Sequence, residues 1–312
     1  MTEPDLDPTL RSLEAASRPP KGPVRWSQVP GGALVKRAVR VLQRTEIVWS
    51  GTVRWAIGSG WMAPPANLPD FLGIGAAKTG TTWLHHNLRA HPELYLPDVK
   101  EVHYFDSRWH RPPSWYAGHF VGGEGKIKGE ITPAYSLLPP ERVAAVRRLV
   151  PDARLILLVR EPVETVWSHA VMKLARERGR KSSDVQPEEY REFFSRASTR
   201  RNVDYTAMIE RWQAEYPPGR MLVASNDEVR ERPVELLARV FTHLGVSVPD
   251  DWSRFPAGTV IDRGVGGGAD LVGRQRPDSM PDDYRRLLGE LYAPETARLH
   301  ELLEAGVAPP DH

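Results

Sequence analysis

The chain has 312 residues, 40% of them hydrophobic, with 42 Lys and Arg against 40 Asp and Glu and a formal net charge of +2. That near balance argues against a global nucleic-acid binder, and the absence of cysteine excludes disulfide frameworks, thiolate nucleophiles and Cys-ligated metals. No basic stretch followed by an apolar one opens the chain, and no run approaches the ~18 apolar residues of a membrane span, so a cytoplasmic protein is expected.

Residues 1–30 are rich in Pro, Ser and charge and read as a disordered leader. Residues 31–66 read as an amphipathic helical extension, in which Lys36, Arg37, Arg40, Arg44 and Arg54 interleave with Leu34, Val35, Val39, Leu42, Val48 and Trp49. Two uses fit that pattern. The helix packs on the main domain with a solvated basic face, or residues 34–55 make peripheral contact with an anionic membrane or an acidic partner. The main domain is expected over 67–307. Short apolar runs at 70–75, 154–159 and 220–225 suit strands covered on both faces. Helical patterns fall at 81–90, 139–149, 161–178, 203–216, 232–244 and 281–304. Alternation of the two predicts a single α/β domain with a central parallel sheet flanked by helices. Residues 260–281, with five glycines and two prolines, read as a long loop of the kind that serves as a lid or binding loop.

Two segments carry chemistry. The first is FLGIGAAKTGTTWL, residues 71–84. A strand ends in a glycine turn that opens a helix, so the amides around Thr79 to Thr82 face an anion favoured by the helix dipole. Gly80 permits close backbone approach, Thr81 and Thr82 add hydroxyl donors, and Lys78 adds a charge. The order Lys-Thr-Gly-Thr-Thr fails the nucleotide-triphosphate pattern, in which Lys follows Gly and a hydroxyl binds Mg²⁺. The alternative is an ordinary strand-to-helix turn with an incidental lysine. The second segment is LLVREPVETVWSHA, residues 157–170. Arg160 stands at the C-terminal end of a strand, where ligands of open α/β sheets sit, and Ser168 lies two helical turns on. Alternatively, Arg160 pairs with a nearby carboxylate and Ser168 is a satisfied helix hydroxyl.

Together these segments resemble the sulfotransferases that use 3′-phosphoadenosine 5′-phosphosulfate (PAPS), from about Leu68 to Gly306. The first is similar to their 5′-phosphosulfate loop, Lys-x-Gly-Thr-Thr. The second is similar to their 3′-phosphate motif, Arg-(Asp/Glu)-Pro with a Ser eight residues after the Arg. KEVHYFD at 100–106, GEITPAY at 129–135 and NVDYTAMIERW at 202–212 resemble segments of the heparan sulfate sulfotransferase branch and its bacterial relatives. The resemblance implies a phosphate-loop-like sulfotransferase fold and an O-sulfotransferase that takes PAPS as co-substrate and releases 3′,5′-adenosine bisphosphate (PAP), without metal. It assigns Lys78, Thr79, Gly80, Thr81, Thr82 and Trp83 to the 5′-phosphosulfate, and Arg160 and Ser168 to the 3′-phosphate. Arg274, Gln275 and Arg276 fall in the loop that closes on the 3′-phosphate and adenine, where a solvated basic loop is the alternative. Glu101 takes the position of the base that accepts the acceptor's proton. His103, on the same face if the segment is extended, would orient Glu101 or act as base itself; otherwise Glu101 is a surface charge beside Lys100 and His103 packs under Tyr104.

Where the glycan-acting enzymes carry a lysine, this chain has Ile131. That favours a neutral small-molecule, natural-product or glycolipid hydroxyl over a polyanionic glycan. The acceptor pocket would be built by loops such as 106–126 and 176–202, which carry no transferable code. A nucleotide kinase with an irregular phosphate loop is one alternative function, and the missing Gly-Lys-Thr order counts against it. The other is a non-catalytic nucleotide- or membrane-binding protein.

Overall fold

A computed structural model describes residues 50–54, 56–60, 62–257 and 279–304, all within one compact unit, Trp49–His312. The leader, residues 31–49 of the extension and most of the glycine-rich loop, with Arg274, Gln275 and Arg276, lie outside the described residues. Among the described residues no helix is long and apolar enough to cross a membrane.

Five strands, β1 (Phe71–Gly75), β2 (Leu94–Tyr95), β3 (Ile127–Ile131), β4 (Arg154–Val159) and β5 (Met221–Ser225), form one sheet in the order β2-β3-β1-β4-β5. Every pairing is parallel. The eight longer helices are α1 (Thr81–Ala90), α2 (Pro140–Leu149), α3 (Pro162–Ala170), α4 (Pro187–Ser195), α5 (Tyr205–Gln213), α6 (Pro233–Leu244), α7 (Asp282–Leu291) and α8 (Ala293–Glu304). The three apolar runs expected as strands are β1, β4 and β5, and the expected single-domain α/β class with a flanked parallel sheet is the observed one. β2 and β3 escape that reading. In β3 (IKGEI) a glycine and a buried carboxylate stand where apolar residues would announce a strand. Gly129 is demanded by its neighbour: it pairs with Phe71, and a Cβ there would lie 2.3 Å from the Phe71 ring.

Both faces of the sheet are covered, and alternation along β4 shows how. Leu155, Leu157 and Val159 point into a core with Val143 and Val146 of α2 and Trp212 of α5. Ile156 and Leu158 point the other way, onto Leu84 and Leu88 of α1 and Val240 and Phe241 of α6. Two expected helices depart from their outlines. The 161–178 pattern is α3 followed by a wider turn over Val171–Ala175 and a tighter one over Arg176–Arg178. The 281–304 pattern is two helices that break at Tyr292, whose buried ring and hydroxyl bond to the Phe194 carbonyl (2.6 Å) fix the break.

The N-terminal described residues are helical at 50–54 and 56–58. Arg54 donates to the carbonyls of Trp109 (2.8 Å) and Arg111 (3.1 Å). Its guanidinium lies 4.0 Å over the Trp109 ring, and that of Arg142 lies 4.4 Å from the same ring. This arginine of the basic extension therefore serves the loop that follows β2.

Candidate active site

The chain moves out from β1 to β2, returns through β3, and then builds β4 and β5 on the other side, so the sheet changes direction at β1. In open α/β sheets the crevice at such a point, beyond the C-terminal ends of the strands, is where ligands bind. A cavity of about 670 Å³ lies there. Segments that follow all five strands line it: Lys78 and Gly80 to Trp83 after β1, Lys100 and Glu101 after β2, Pro133, Ala134, Ser136 and Leu137 after β3, Arg160 and Ser168 after β4, and Asn226, Val229 and Arg230 after β5.

The loop after β1 is held from within. Thr79 is fully buried and its hydroxyl donates to the Ala76 carbonyl (2.7 Å), while Asn226 donates to the Thr79 carbonyl (2.9 Å). Thr79 thus spends its hydroxyl on the loop, and Thr81 and Thr82 are the threonines that line the cavity. Gly80 caps α1 at φ 101°, and a Cβ there would lie 2.9 Å from the Asn226 amide nitrogen, so only glycine fits. No side chain caps the first turn of α1, leaving its amides to whatever fills the cavity. Trp83 is 2% exposed and its indole N–H is given to the Ala257 carbonyl (2.9 Å).

Arg160 extends from β4 towards the same loop. It donates to the Lys78 carbonyl (3.3 Å) and to Glu164 (3.3 Å), whereas its Nε is buried with no partner. Burial, and then the nearby Arg230, push its pKa down from the ordinary guanidinium value. Two guanidiniums held close with a buried donor unspent make a site that favours an anion. The carboxylate pairing expected as the alternative is also real, because Glu164 is shared between Arg160 and Arg285 of α7 (2.9 Å). Ser168, half-buried on α3, faces the cavity beside His169. Burial, and then the Lys78 charge, hold His169 down at about 4, so it is neutral at pH 7.

The segment 100–106 is not extended. Glu101 (φ 67°) and His103 (φ 57°) are left-handed, with fully buried Val102 between them. The two side chains still meet, with His103 Nε2 3.5 Å from Glu101 Oε2. Asp106 Oδ2 lies 2.8 Å from His103 Nδ1, so the ring sits between two carboxylates, Nδ1 on Asp106 and Nε2 on Glu101. Lys100, almost fully buried, pairs with Glu101 Oε1. Glu101 lines the cavity and His103 stands behind it. With Lys78 (φ 68°), these are the described non-glycine residues at positive φ, a conformation costing about 1–2 kcal/mol each and concentrated where function demands it. Lys100, Asp106, His169, Asn226 and Arg230 are neighbours that the sequence motifs did not assign. Asn226 had one usable signal: it directly follows a strand.

Ile131 is 1% exposed and packs with Phe71, Trp83 and Leu84. Its side chain belongs to the core under α1. Among the described residues, no group of three or more His, Asp or Glu is placed to hold a metal ion.

The fold and the site are thus a parallel α/β sheet with an uncapped helix start at its turning point and a carboxylate across the cavity. Residues 132–250 match the model of the sulfotransferase family. A membrane-associated sulfotransferase, kil1, of Dictyostelium discoideum is 39% identical over 101 residues, 31% of this chain and 21% of that protein. A heparan sulfate glucosamine 3-O-sulfotransferase, 3A1, of Mus musculus is 30% identical over 190 residues, 57% of this chain and 46% of that protein. The chain thus spans from a fifth to about half the length of these curated relatives. The crystal structure of a sulfotransferase from Alicyclobacillus acidocaldarius superposes with a TM-score of 0.52 at 24% identity, covering 76% of this chain and 96% of that one, and shares the fold. Over these segments the chain is similar to sulfotransferases, and it shares their fold.

Proposed function

We propose that this protein transfers a sulfuryl group from PAPS to the hydroxyl of a neutral acceptor. The observation that carries this reading is one cavity lined by Lys78, the uncapped start of α1, Arg160 and Glu101. The orphaned Arg160 Nε and the glycine-only approach at Gly80 fit a nucleotide with phosphates at both ends. The donor supplies an activated sulfuryl group joined to its 5′-phosphate.

The residues then divide the work. Lys78, the amides of α1 and the hydroxyls of Thr81 and Thr82 neutralise the 5′-phosphate oxygen as its bond to sulfur breaks. Arg160, with Arg230 and Ser168, grips the 3′-phosphate. Glu101 accepts the acceptor's proton while the acceptor oxygen bonds to sulfur, a task suited to a carboxylate within hydrogen-bond reach. Lys100 offsets the carboxylate charge beside an anionic donor, and Asp106 and His103 hold Glu101 in place. The wall formed by Pro133, Ala134, Leu137, Val171 and Met172 supports an acceptor with an apolar body, such as a natural product or glycolipid.

Transfer of label from radiosulfate-labelled PAPS to three acceptors tests the reading: decyl β-glucoside, 4-nitrophenol and a heparan sulfate oligosaccharide. Labelling of the neutral acceptors is expected. Labelling of the oligosaccharide alone would overturn the neutral-acceptor assignment, and no labelled product from any of the three would count against transfer.

A further inference from the structure

Behind the cavity lies a carboxylate that the chemistry above does not use. Glu130 of β3 is 2% exposed and does not line the cavity. Its Oε1 accepts from the hydroxyls of Tyr135 (2.7 Å) and Tyr116 (2.9 Å). Its Oε2 accepts from the Thr132 hydroxyl (2.5 Å) and the Val102 amide (3.2 Å). Two of these hydroxyls are relays. Thr132 accepts from the His103 amide (3.3 Å), and Tyr135 accepts from the amides of Tyr104 (2.8 Å) and Phe105 (3.4 Å).

We infer that Glu130 is the positioning residue of the reaction: its buried carboxylate gathers the four consecutive amides of residues 102–105 and so fixes the left-handed turns that present Glu101 and His103. The direction of each bond follows from proton count. A hydroxyl has one proton, and Thr132 and Tyr135, each taking an amide proton, give theirs to Glu130. All four partners therefore donate, and the carboxylate only accepts. An amide in its place would set an N–H₂ against a donor on one side or the other. Left-handed conformations persist where surrounding structure over-determines them, and Glu101 and His103 flank the first bonded amide.

Among the described residues, the side chains of the network make no hydrogen bond to the loop after β1, to Arg160 or to Asn226, which are held by Ala76, Glu164 and Thr79 instead. Removing it should disturb the base and leave the nucleotide site intact. That separates positioning from general loss of stability, which would touch both.

The inference rests on the proposed function, and the test keeps the two apart. Glu130→Gln is compared with wild type by amide hydrogen exchange, PAP affinity and turnover of PAPS with decyl β-glucoside or 4-nitrophenol. Exchange in residues 101–106 should rise by about tenfold or more while α1 and β4 keep wild-type protection. PAP affinity should stay within about twofold, and kcat should fall by about 10- to 100-fold, as expected for a misplaced catalytic group. Unchanged exchange at 101–106, or PAP affinity lost in step with that exchange, would overturn the positioning role. Should Glu130→Gln fail to fold, Thr132→Val cuts the His103 relay alone and is read the same way. A wild type with no turnover of either acceptor counts against the proposed function, and exchange together with PAP affinity then decides the role of Glu130.

Discussion

Lys78, Glu101 and His103 come from two separate loops, yet all three adopt a backbone conformation that L side chains seldom take. At Lys78 the strain directs the chain from β1 into the α1 turn. At Glu101 and His103 it lets one carboxylate face the cavity while Val102 stays buried between them. Glu101→Gln keeps the shape and removes the proton acceptor. It should bind PAP within about twofold of wild type and lose transfer by about 100-fold or more; retained turnover would move the base role to His103. That Lys78, Arg160, Ser168 and Glu101 are candidates for one cavity was legible because each sits in a motif whose spacing along the chain is short. Asp106, Arg230 and Glu130 were not, since their roles depend on partners brought together only by folding. Thr79 shows the limit within a motif, because nothing in Lys-Thr-Gly-Thr-Thr tells which hydroxyl turns inward.

At the scale of elements, β1, β4 and β5 could be read because strands buried on both faces are apolar throughout. β3 could not, because its burial is shared by Gly129 under Phe71 and Glu130 in a polar network. α6 was legible from its apolar stripe, but its docking has a polar feature. His243 is buried and its Nε2 meets the Leu155 carbonyl of β4 at 3.0 Å. Burial pushes its pKa down from 6.5 to about 4. The unfolded chain therefore binds a proton below pH 6.5 that the folded protein refuses until about pH 4. Its contribution is complete above pH 6.5 and is lost as pH falls through that window, by about 3 kcal/mol in all. Urea unfolding of wild type and His243→Gln from pH 7 to pH 4 should show a steeper fall for wild type; parallel profiles would contradict a buried neutral His243.

For the molecule as a whole, strand order matters more than any one motif. Placing β1 between β3 and β4 brings five loops, separated by up to about half the chain, to one end of the sheet. The Lys78 loop and Arg160 lie 82 residues apart, yet a hydrogen bond joins them. That arrangement suits a ligand with two anionic groups, and PAP is such a ligand. A thermal-shift titration without metal tests this most directly, because a ligand that binds only the native state raises its melting temperature. PAP in the presence of EDTA should raise the melting temperature in a saturable way, and Mg-ATP should raise it little. Stabilisation by Mg-ATP with none from PAP would contradict a donor site for PAPS.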